Sequence, residues 1–457
     1  MKRITIAAIA FVFCIINVAA QAKAEVKVPS IFGDNMVVQR DVELPVWGQA
    51  EPGEKVTVTI GEASASATAG EKGDWSAKLP AMKCTPDQTG LTMTVKGTNT
   101  ITLNNILVGE VWIGSGQSNM EFELQGSVGG KEAVAAADLP NIRLYQIPHT
   151  KNWYPQKDVN ASWKVCTPET AEKFSAVLFY FGKRLHDELK VPIGLIDASW
   201  GGTAIEPWTA TRDDRSHVGI YYNGMIAPLH PFPIRGVTWY QGETNVFGGN
   251  GIKHYDKTVE LVESWRRKWH NEKMPFYMVQ LAPWGGRYGA GQLPALWEAQ
   301  VASLKIPNTG LVVTTDLVDD IQDIHPRQKK PIGERLALWA LTKDYGREGL
   351  VYSGPLYKSM KIEGNKIRVS FAHLGGGLAS RDGKELSEFQ IAGEDGKFVP
   401  AVAVIDGKTV VVSAEGVTAP KNVRLGWRND AMPNLMNKAK LPASPFKTDD
   451  WQGATGE

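Results

Sequence analysis

The chain has 457 residues, with 50 Lys and Arg against 49 Asp and Glu, a formal net charge of +1 and a hydrophobic content of 43%. This composition is typical of a folded globular protein and excludes a disordered chain. The length predicts about two to four domains, and the near-neutral charge argues against nucleic acid as a partner.

Residues 1–24 have the pattern of a secretory signal peptide. Lys2 and Arg3 precede an apolar run over residues 4–20, and small residues follow up to Ala24. The run is short for a membrane helix, and no second hydrophobic span follows it. We therefore expect cleavage after Ala24, a secreted or periplasmic mature protein, and no membrane span.

Short β segments dominate residues 25–107, and turn residues such as Gly and Pro separate them. The candidate strands are 42–47, 56–60, 74–79, 91–95 and 101–106. Their number and regular spacing predict an N-terminal β-sandwich domain.

Between residues 108 and 348, strand patterns alternate with helical periods. The candidate strands are 111–114, 142–147, 193–198, 236–240, 276–281 and 311–315, and the candidate helices lie near 174–185, 255–269 and 331–345. This alternation predicts a three-layer α/β/α core with a mostly parallel sheet.

Residues 349–457 return to short β segments, at 361–371, 389–392, 402–405, 410–412 and 423–427. They predict a C-terminal β-rich domain. The fold class is therefore α/β, with an α/β core between two β-sandwich-like modules.

The segment 113–120 is the first candidate for chemistry, because an apolar strand runs into a Gly-bounded turn and then Ser118. Active sites of α/β proteins lie at the carboxyl ends of parallel strands, although an isolated Ser is usually a helix cap. A nucleophilic Ser needs a base, most often a His held by a carboxylate. Among the eight histidines, His325 is the best candidate, with Asp323 nearest to orient it and Asp316, Asp319 and Asp320 in reserve.

Two further turns offer hydrogen-bond donors for a developing oxyanion. The predicted strand 236–240 leads into residues 241–245, which end in Asn245, and the strand 193–198 leads into the pair Gly201 and Gly202. Backbone amides at glycines and an amide side chain are the usual donors of such a hole. Each motif is weak alone, since Gly-Gly after a strand is ordinarily a turn.

Together, GQSNM at 116–120, SWGGT at 199–203, WYQGETN at 239–245 and DIHP at 323–326 occur in the order of the SGNH hydrolases. The chain more narrowly resembles the sialate O-acetylesterase family, and segments 31–40, 47–56 and 434–449 extend this resemblance to both ends. It implies that Ser118 is the nucleophile and His325 the general base. The Ser118 and Gly202 amides would form the oxyanion hole with Asn245.

The chain departs from the SGNH pattern at the supporting carboxylate. Many SGNH hydrolases place this Asp three residues before the His, where this chain has Gln322, whereas Asp323 lies two residues before. Asp323 therefore orients the ring only if the local turn brings it there. Another carboxylate or a neutral group is the alternative.

The implied activity is removal of O-acetyl groups from sialic acids through an acetyl-serine, with an O-acetylated sugar as partner and no metal or organic cofactor. We expect Gln117, Trp200, Gln241 and Glu243 to bind substrate. Because the base must be neutral, activity should fall as the pH drops through the His325 pKa.

Several alternatives stay open from the sequence. The substrate could be a plant polysaccharide such as acetylated xylan, or the protein could be a non-catalytic glycan-binding protein. Arg212 and Arg215 could pair with a sialic acid carboxylate, or simply be solvated. Cys84 and Cys166 could form one disulfide, and the oligomeric state is not predicted.

Overall fold

The computed structural model describes residues 25–85, 88–210, 219–249, 251–450 and 452–453. The predicted signal peptide, together with Arg212 and Arg215, lies outside the described residues. An 11-stranded sheet forms the centre of the molecule and joins the N-terminal strands to the α/β core.

The N-terminal part is built from seven strands: β1 (Val37–Gln39), β2 (Leu44–Gln49), β3 (Lys55–Ile60), β4 (Ala63–Thr68), β5 (Asp74–Leu79), β6 (Leu91–Lys96) and β7 (Thr100–Gly116). Strands β3, β4 and β6 pair antiparallel, β2 pairs with β5, and β6 passes the chain to β7. The structure thus adds β1 and β4 to the predicted strands.

Strand β7 is 17 residues long and crosses the predicted domain boundary between residues 107 and 108. Its first part pairs antiparallel with β6, and its second part is fully buried. Burial on both faces is typical of a central parallel strand, which explains why the sequence after Ile106 is mainly apolar. One strand therefore connects the N-terminal module to the mostly parallel sheet.

The remaining strands of the core are β8 (Leu139–Gln146), β9 (Trp163–Cys166), β10 (Ile193–Ser199), β11 (Gly236–Tyr240), β12 (Phe276–Val279) and β13 (Thr309–Val312). Its helices are α1 (Ser118–Glu121), α2 (Gly130–Ala135), α3 (Pro168–Ala171), α4 (Ala176–Leu189), α5 (Glu243–Phe247), α6 (His254–Lys268), α7 (Gln292–Ala302) and α8 (Lys329–Lys343). The strand order is β13-β12-β11-β7-β10-β8-β9, and only β9 runs antiparallel to its neighbour.

Helices cover both faces of this sheet. On one face, Trp112 of β7 packs edge-on against Phe181 of α4, and α8 packs beside α4. On the other face, Trp239 of β11 contacts Trp265 of α6, and the N-terminal module completes that layer. The alternation of side chains along the strands sends neighbours to opposite layers. The predicted α/β fold is confirmed.

The C-terminal part contains β14 (Leu356–Glu363), β15 (Lys366–Ala372), β16 (Leu378–Ser380), β17 (Phe389–Ala392), β18 (Val399–Pro400), β19 (Val402–Asp406), β20 (Thr409–Ser413), β21 (Asn422–Leu425), β22 (Leu435–Asn437) and β23 (Phe446–Lys447). They form two four-stranded sheets and one two-stranded sheet.

The single strand predicted at 361–371 is wrong. The segment is a hairpin of β14 and β15, in which Glu363 pairs with Lys366 and Gly364 has a φ of +63°. The Gly-Asn dipeptide between the two strands is a signal for such a two-residue turn.

The two cysteines outside the predicted signal peptide do not form a disulfide. Cys84 is partly buried and Cys166 is buried, and both thiols are free.

Among the residues that the structure describes, no helix has the length and apolar character needed to cross a membrane.

Candidate active site

Three of the four motif blocks meet where β7, β10 and β11 end. These strands run parallel with β7 in the middle, so their carboxyl ends lie at the same sheet edge. The Gln117 amide donates to Tyr240 O at 3.0 Å, and the Trp200 amide donates to Gly116 O at 3.1 Å. Backbone hydrogen bonds therefore fix the three turns side by side.

Gly116 makes this close approach possible. Its φ is +135°, and a Cβ at this position would lie 2.1 Å from the carbonyl oxygen of Tyr240. Any side chain would push β7 away from β11, and this φ is unfavourable for residues other than glycine. The glycine thus allows the chain to turn sharply and place Ser118 at the start of α1.

Ser118 and His325 are in hydrogen-bond contact, although 207 residues separate them. Ser118 Oγ lies 2.9 Å from His325 Nε2, which is the distance expected between a nucleophile and its general base. The loop after β13 carries His325 to the same sheet edge and then enters α8.

Asp323 lies beside the other ring nitrogen of His325. Its Oδ1 accepts the His325 backbone amide at 2.8 Å, and the same oxygen is 3.6 Å from His325 Nδ1. An Asp side chain that binds the amide two residues later forms a local turn, and this turn brings the carboxylate to the ring. Asp323 is therefore near enough to orient the imidazole, at a distance just beyond a hydrogen bond.

The other candidate carboxylates are engaged elsewhere. Asp316 forms a two-bond ion pair with Arg335, at 2.8 and 2.6 Å. Asp319 accepts the Arg327 amide, and Asp320 accepts the Gln322 amide.

The turn after β10 lies against the serine. Gly202 has a φ of +74°, and a Cβ on Gly201 would lie 3.3 Å from Ser118 Cβ. The Gly201 amide donates to Glu121 Oε2 at 2.6 Å. Within the part of the chain that the structure describes, the Ser118 and Gly202 amides have no hydrogen-bond acceptor, as donors for an oxyanion require.

Asn245 is buried behind this turn. Its Oδ1 accepts the Ile205 amide at 3.0 Å and Gln241 Nε2 at 2.7 Å, and its Nδ2 donates to Glu206 Oε2 at 3.1 Å. The amide thus holds the turn after β10 against the turn after β11. Its role in an oxyanion hole stays a prediction.

An aromatic group stands next to the glycine turn. Trp200 stacks on His149 with ring centroids 4.5 Å apart, and Tyr221 contacts Trp200 at 4.9 Å. Trp208 and Trp239, which also lie near the motifs in sequence, are buried in the core. Of these residues, His149 is exposed and Trp200 and Tyr221 are partly buried, so these three have surface available to a ligand.

Comparison with known proteins places this architecture in a family. The family model described as carbohydrate esterase, sialic acid-specific acetylesterase matches residues 108–342. The chain belongs to this family. It is therefore a carboxylic ester hydrolase of the carbohydrate esterase type.

Individual relatives agree with this assignment. The sialate O-acetylesterase of Pongo abelii is 30% identical over 391 residues, covering 74% of each chain, and that of Homo sapiens is 29% identical over the same length. A carbohydrate acetylesterase from Xanthomonas citri is 37% identical, with a TM-score of 0.89 over 93% of this chain and 100% of that one.

In this esterase, the surroundings of His325 favour a neutral imidazole. Burial lowers the pKa of His325 below 6.5, and the positive charge of Lys329 lowers it further, while Asp323 opposes both. A neutral ring can accept the serine proton at pH values where an exposed His would already be protonated.

Three of the four residues expected to bind substrate lie beneath the surface of the site. Gln117, Gln241 and Glu243 are 3%, 1% and 5% exposed. Gln117 Oε1 accepts Gln241 Nε2 at 3.2 Å and two amides of the β11 turn at 3.4 Å. Only Trp200, which is partly buried, reaches the surface. Substrate binding by these residues stays a prediction.

Several residues of this esterase site were not predicted from the sequence. Asn119 and Lys329 are buried next to the motifs of Ser118 and His325, and Glu121 Oε1 lies 2.8 Å from His149 Nε2 beside the glycine turn. Asn119 follows Ser118 directly and Glu121 lies three residues after it, which was a signal for them. Nothing in the sequence indicated that Lys329 is buried, because a Lys at a helix start is usually solvated.

Proposed function

We propose that this protein is a serine esterase that removes O-acetyl groups from sialic acids through an acetyl-serine intermediate. The main support is the 2.9 Å hydrogen bond between Ser118 Oγ and His325 Nε2 at the carboxyl edge of the sheet. Membership of the family described as sialic acid-specific acetylesterase supports the substrate.

In the proposed mechanism, His325 Nε2 takes the proton of Ser118 as Oγ attacks the acetyl carbonyl carbon. The Ser118 and Gly202 amides and Asn245 stabilise the oxyanion of the tetrahedral intermediate. When this intermediate collapses, the protonated His325 gives its proton to the leaving sugar oxygen. A water molecule, activated by His325, then releases acetate and restores the serine.

Asp323 has an orienting role in this scheme. Its carboxylate stabilises the imidazolium that forms during each proton transfer, because it lies 3.6 Å from Nδ1. It also holds the His325 backbone amide, so one side chain supports both the ring and the loop.

A second candidate substrate is an acetylated polysaccharide such as xylan. The supporting observation is the X. citri structure, which is described as a carbohydrate acetylesterase without reference to sialic acid. The non-catalytic alternative is less well supported, since Ser118 and His325 stand in catalytic contact.

The experiment measures acetate release from O-acetylated sialic acid and from acetylated xylan by the wild-type protein and by Ser118→Ala. We expect release by the wild type, preference for sialic acid, and loss of activity in the variant. A preference for acetylated xylan would show that the substrate is an acetylated polysaccharide and not sialic acid. Equal activity of the two proteins would refute the serine mechanism.

We further propose that residues 1–24 direct export, which would place the enzyme in the periplasm or outside the cell. The charged start and apolar run of this segment support the proposal. N-terminal sequencing of exported protein tests it, with Glu25 as the expected first residue. Retention of the intact chain in the cytoplasm would contradict it.

A further inference from the structure

A cluster of buried polar side chains lies directly behind Ser118 and His325. Its members are Asn119, Lys329 and Glu243, which are 1%, 0% and 5% exposed. Each comes from a different motif loop: Asn119 follows the serine, Lys329 comes four residues after the histidine, and Glu243 follows β11. We call these three residues the buried triad.

The amide of Asn119 connects the triad. Asn119 Oδ1 accepts a hydrogen bond from Lys329 Nζ, and Asn119 Nδ2 donates to Glu243 Oε1 at 2.5 Å. The same Nδ2 also donates to the carbonyl oxygen of Ile324 at 3.0 Å. Since Ile324 immediately precedes His325, the residue after the nucleophile directly binds the loop of the base.

The geometry requires both ends of an amide at this position. One end must accept from an ammonium group, and the other must donate to a carboxylate and a carbonyl. A carboxylate at position 119 would face two acceptors, and an apolar side chain would leave Lys329 buried without this acceptor.

Burying such groups is costly for stability. An ammonium and a carboxylate taken out of water lose hydration that their mutual attraction seldom fully replaces. Lys329 Nζ gains some compensation from the rings of Phe122 and Tyr240, whose centroids lie at 4.8 and 5.4 Å. An apolar cluster would fill the same space at lower cost, so the triad needs a functional explanation.

We propose that Asn119, Lys329 and Glu243 act as positioning residues that fix the His325 loop relative to Ser118, with Lys329 placing a positive charge beside that loop. This inference rests on the proposed roles of Ser118 and His325. None of the three residues needs to touch the substrate.

The charges around the two key groups support this role. His325 faces Lys329 from α8, Asp323 from its own loop and the neutral Ser118 from α1. Lys329 in turn faces Glu243 from α5, together with Asp319 and Asp323. Burial lowers the pKa of Lys329 to about 7, so Lys329 gains positive charge as the pH falls below 7.

The test uses Lys329→Met, which keeps the side-chain bulk, and Asn119→Asp, which puts a carboxylate against Glu243 and Ile324. The matched control is Lys330→Met, because Lys330 is the next residue and is exposed. Activity is followed with p-nitrophenyl acetate, which does not require sugar recognition, and folding is checked by thermal unfolding.

We expect kcat to fall by at least about tenfold in both variants, with KM nearly unchanged, since the reacting groups lose alignment and not the substrate contacts. In Lys329→Met, the acidic limb of kcat/KM should also move to higher pH, because a positive charge near His325 is lost. The Lys330→Met profile should match the wild type. If Lys329→Met folds and both its kcat and the acidic limb of its kcat/KM profile equal those of the wild type, the proposal is overturned.

A second measurement separates this inference from the proposed function. The pKa of His325 is read by NMR titration of its imidazole, assigned with a His325→Ala spectrum, in the wild type and in Lys329→Met. If the wild type hydrolyses no ester, the proposed function fails, yet a higher His325 pKa in Lys329→Met would still support the triad. An equal pKa would overturn its electrostatic role. If neither variant folds, a wild-type His325 pKa at or above 6.5 would overturn the electrostatic role of Lys329.

Discussion

In the proposed mechanism, His325 must be close to Ser118 and also unprotonated. The 2.9 Å contact sets the distance, while burial and the charge of Lys329 lower the pKa of the ring below 6.5. A lowered pKa keeps the base neutral to a lower pH than an exposed His would allow.

The acidic limb of kcat/KM therefore tests His325 as the base. We expect half of the activity to be lost at a pH below 6.5, because the lowered pKa of the free enzyme lies there. Initial rates in buffers of constant ionic strength give this limb. Loss of half the activity already at a pH well above 6.5 would contradict the role.

Glu121 is the residue on which the glycine turn depends. Its Oε2 accepts the Gly201 amide at 2.6 Å, and its Oε1 is 2.8 Å from His149. Glu121→Ala removes one charge-assisted hydrogen bond, worth about 1.5 kcal/mol, so we predict a fall in kcat/KM of about tenfold. Steady-state kinetics measure this fall.

The matched control for this prediction is Glu123→Ala, two residues away and exposed. It should keep wild-type kinetics. Wild-type kcat/KM in Glu121→Ala, in a protein of normal thermal stability, would show that the turn holds its shape without this carboxylate.

Among the secondary-structure elements, the pair α4 and α8 fixes the layer behind the His325 loop. Gly333 of α8 lies against α4 so closely that a Cβ would be 2.5 Å from Val177 O and 2.8 Å from Phe181 N. Both are backbone atoms, which cannot rotate away. The position of α8, and with it Lys329 at its first residue, depends on this contact.

Gly333→Ala should therefore destabilise the protein, although Ala alone favours a helix by about 1 kcal/mol. We predict a net loss of about 2 kcal/mol in the free energy of unfolding, the usual cost of an overpacked contact. Urea titration measures it, with Glu334→Ala as the control on the same helix. A gain in stability would mean that the helices separate at little cost.

The elements differ in how well the sequence predicts them. Strand β11 has the predicted bounds, because its apolar residues stand between clear turns. Strand β4 (Ala63–Thr68) was missed, since its Ala, Ser and Thr residues alternate only between partial burial and exposure. The hairpin at β14 and β15 was read as one strand because its two-residue turn interrupts the β pattern only briefly.

The candidate site shows the same limit. The motif residues and the family resemblance together suggested Ser118 and His325 as a pair, but no local pattern spans the 207 residues between them, so the contact itself could not be derived from the sequence. The burial of Lys329 could not be predicted at all, because it depends on Asn119 of α1 and Glu243 of α5. Sequence patterns report local structure, whereas these contacts arise from the sheet order.

In the whole molecule, the N-terminal module is joined to the catalytic sheet through a buried carboxylate. Glu110 of β7 is 0% exposed and binds Arg40 at 2.5 Å, Gln39 at 2.9 Å and Arg235 at 2.8 Å. Burial alone would raise the pKa of Glu110, but Arg235, Gln39 and Arg40 hold it below 4.5. The carboxylate is thus ionised at neutral pH and bridges three segments.

Glu110→Gln removes the buried counter-charge of two partly buried arginines, Arg40 and Arg235. We predict a loss of about 3 kcal/mol in the free energy of unfolding near neutral pH. Because the folded-state pKa is lowered, the wild-type advantage is present above pH 4.5 and shrinks as the pH falls through that lowered value. Urea titrations at several pH values between about 3 and about 7 test this prediction.

Asp41→Asn is the control, since Asp41 also pairs with Arg40, at 3.6 Å, but is 53% exposed. It should change stability little. A Glu110→Gln penalty that stays constant across the acidic range would contradict the electrostatic account of this junction.

The measurement that tests the central claim most directly is the mass of the enzyme during turnover of p-nitrophenyl acetate. Rapid acid quench and mass spectrometry should find one acetyl group on the peptide that contains Ser118, and none in Ser118→Ala, which should also release no acetate. Acetate release by an enzyme that is never acetylated, with Ser118→Ala as active as the wild type, would contradict the account.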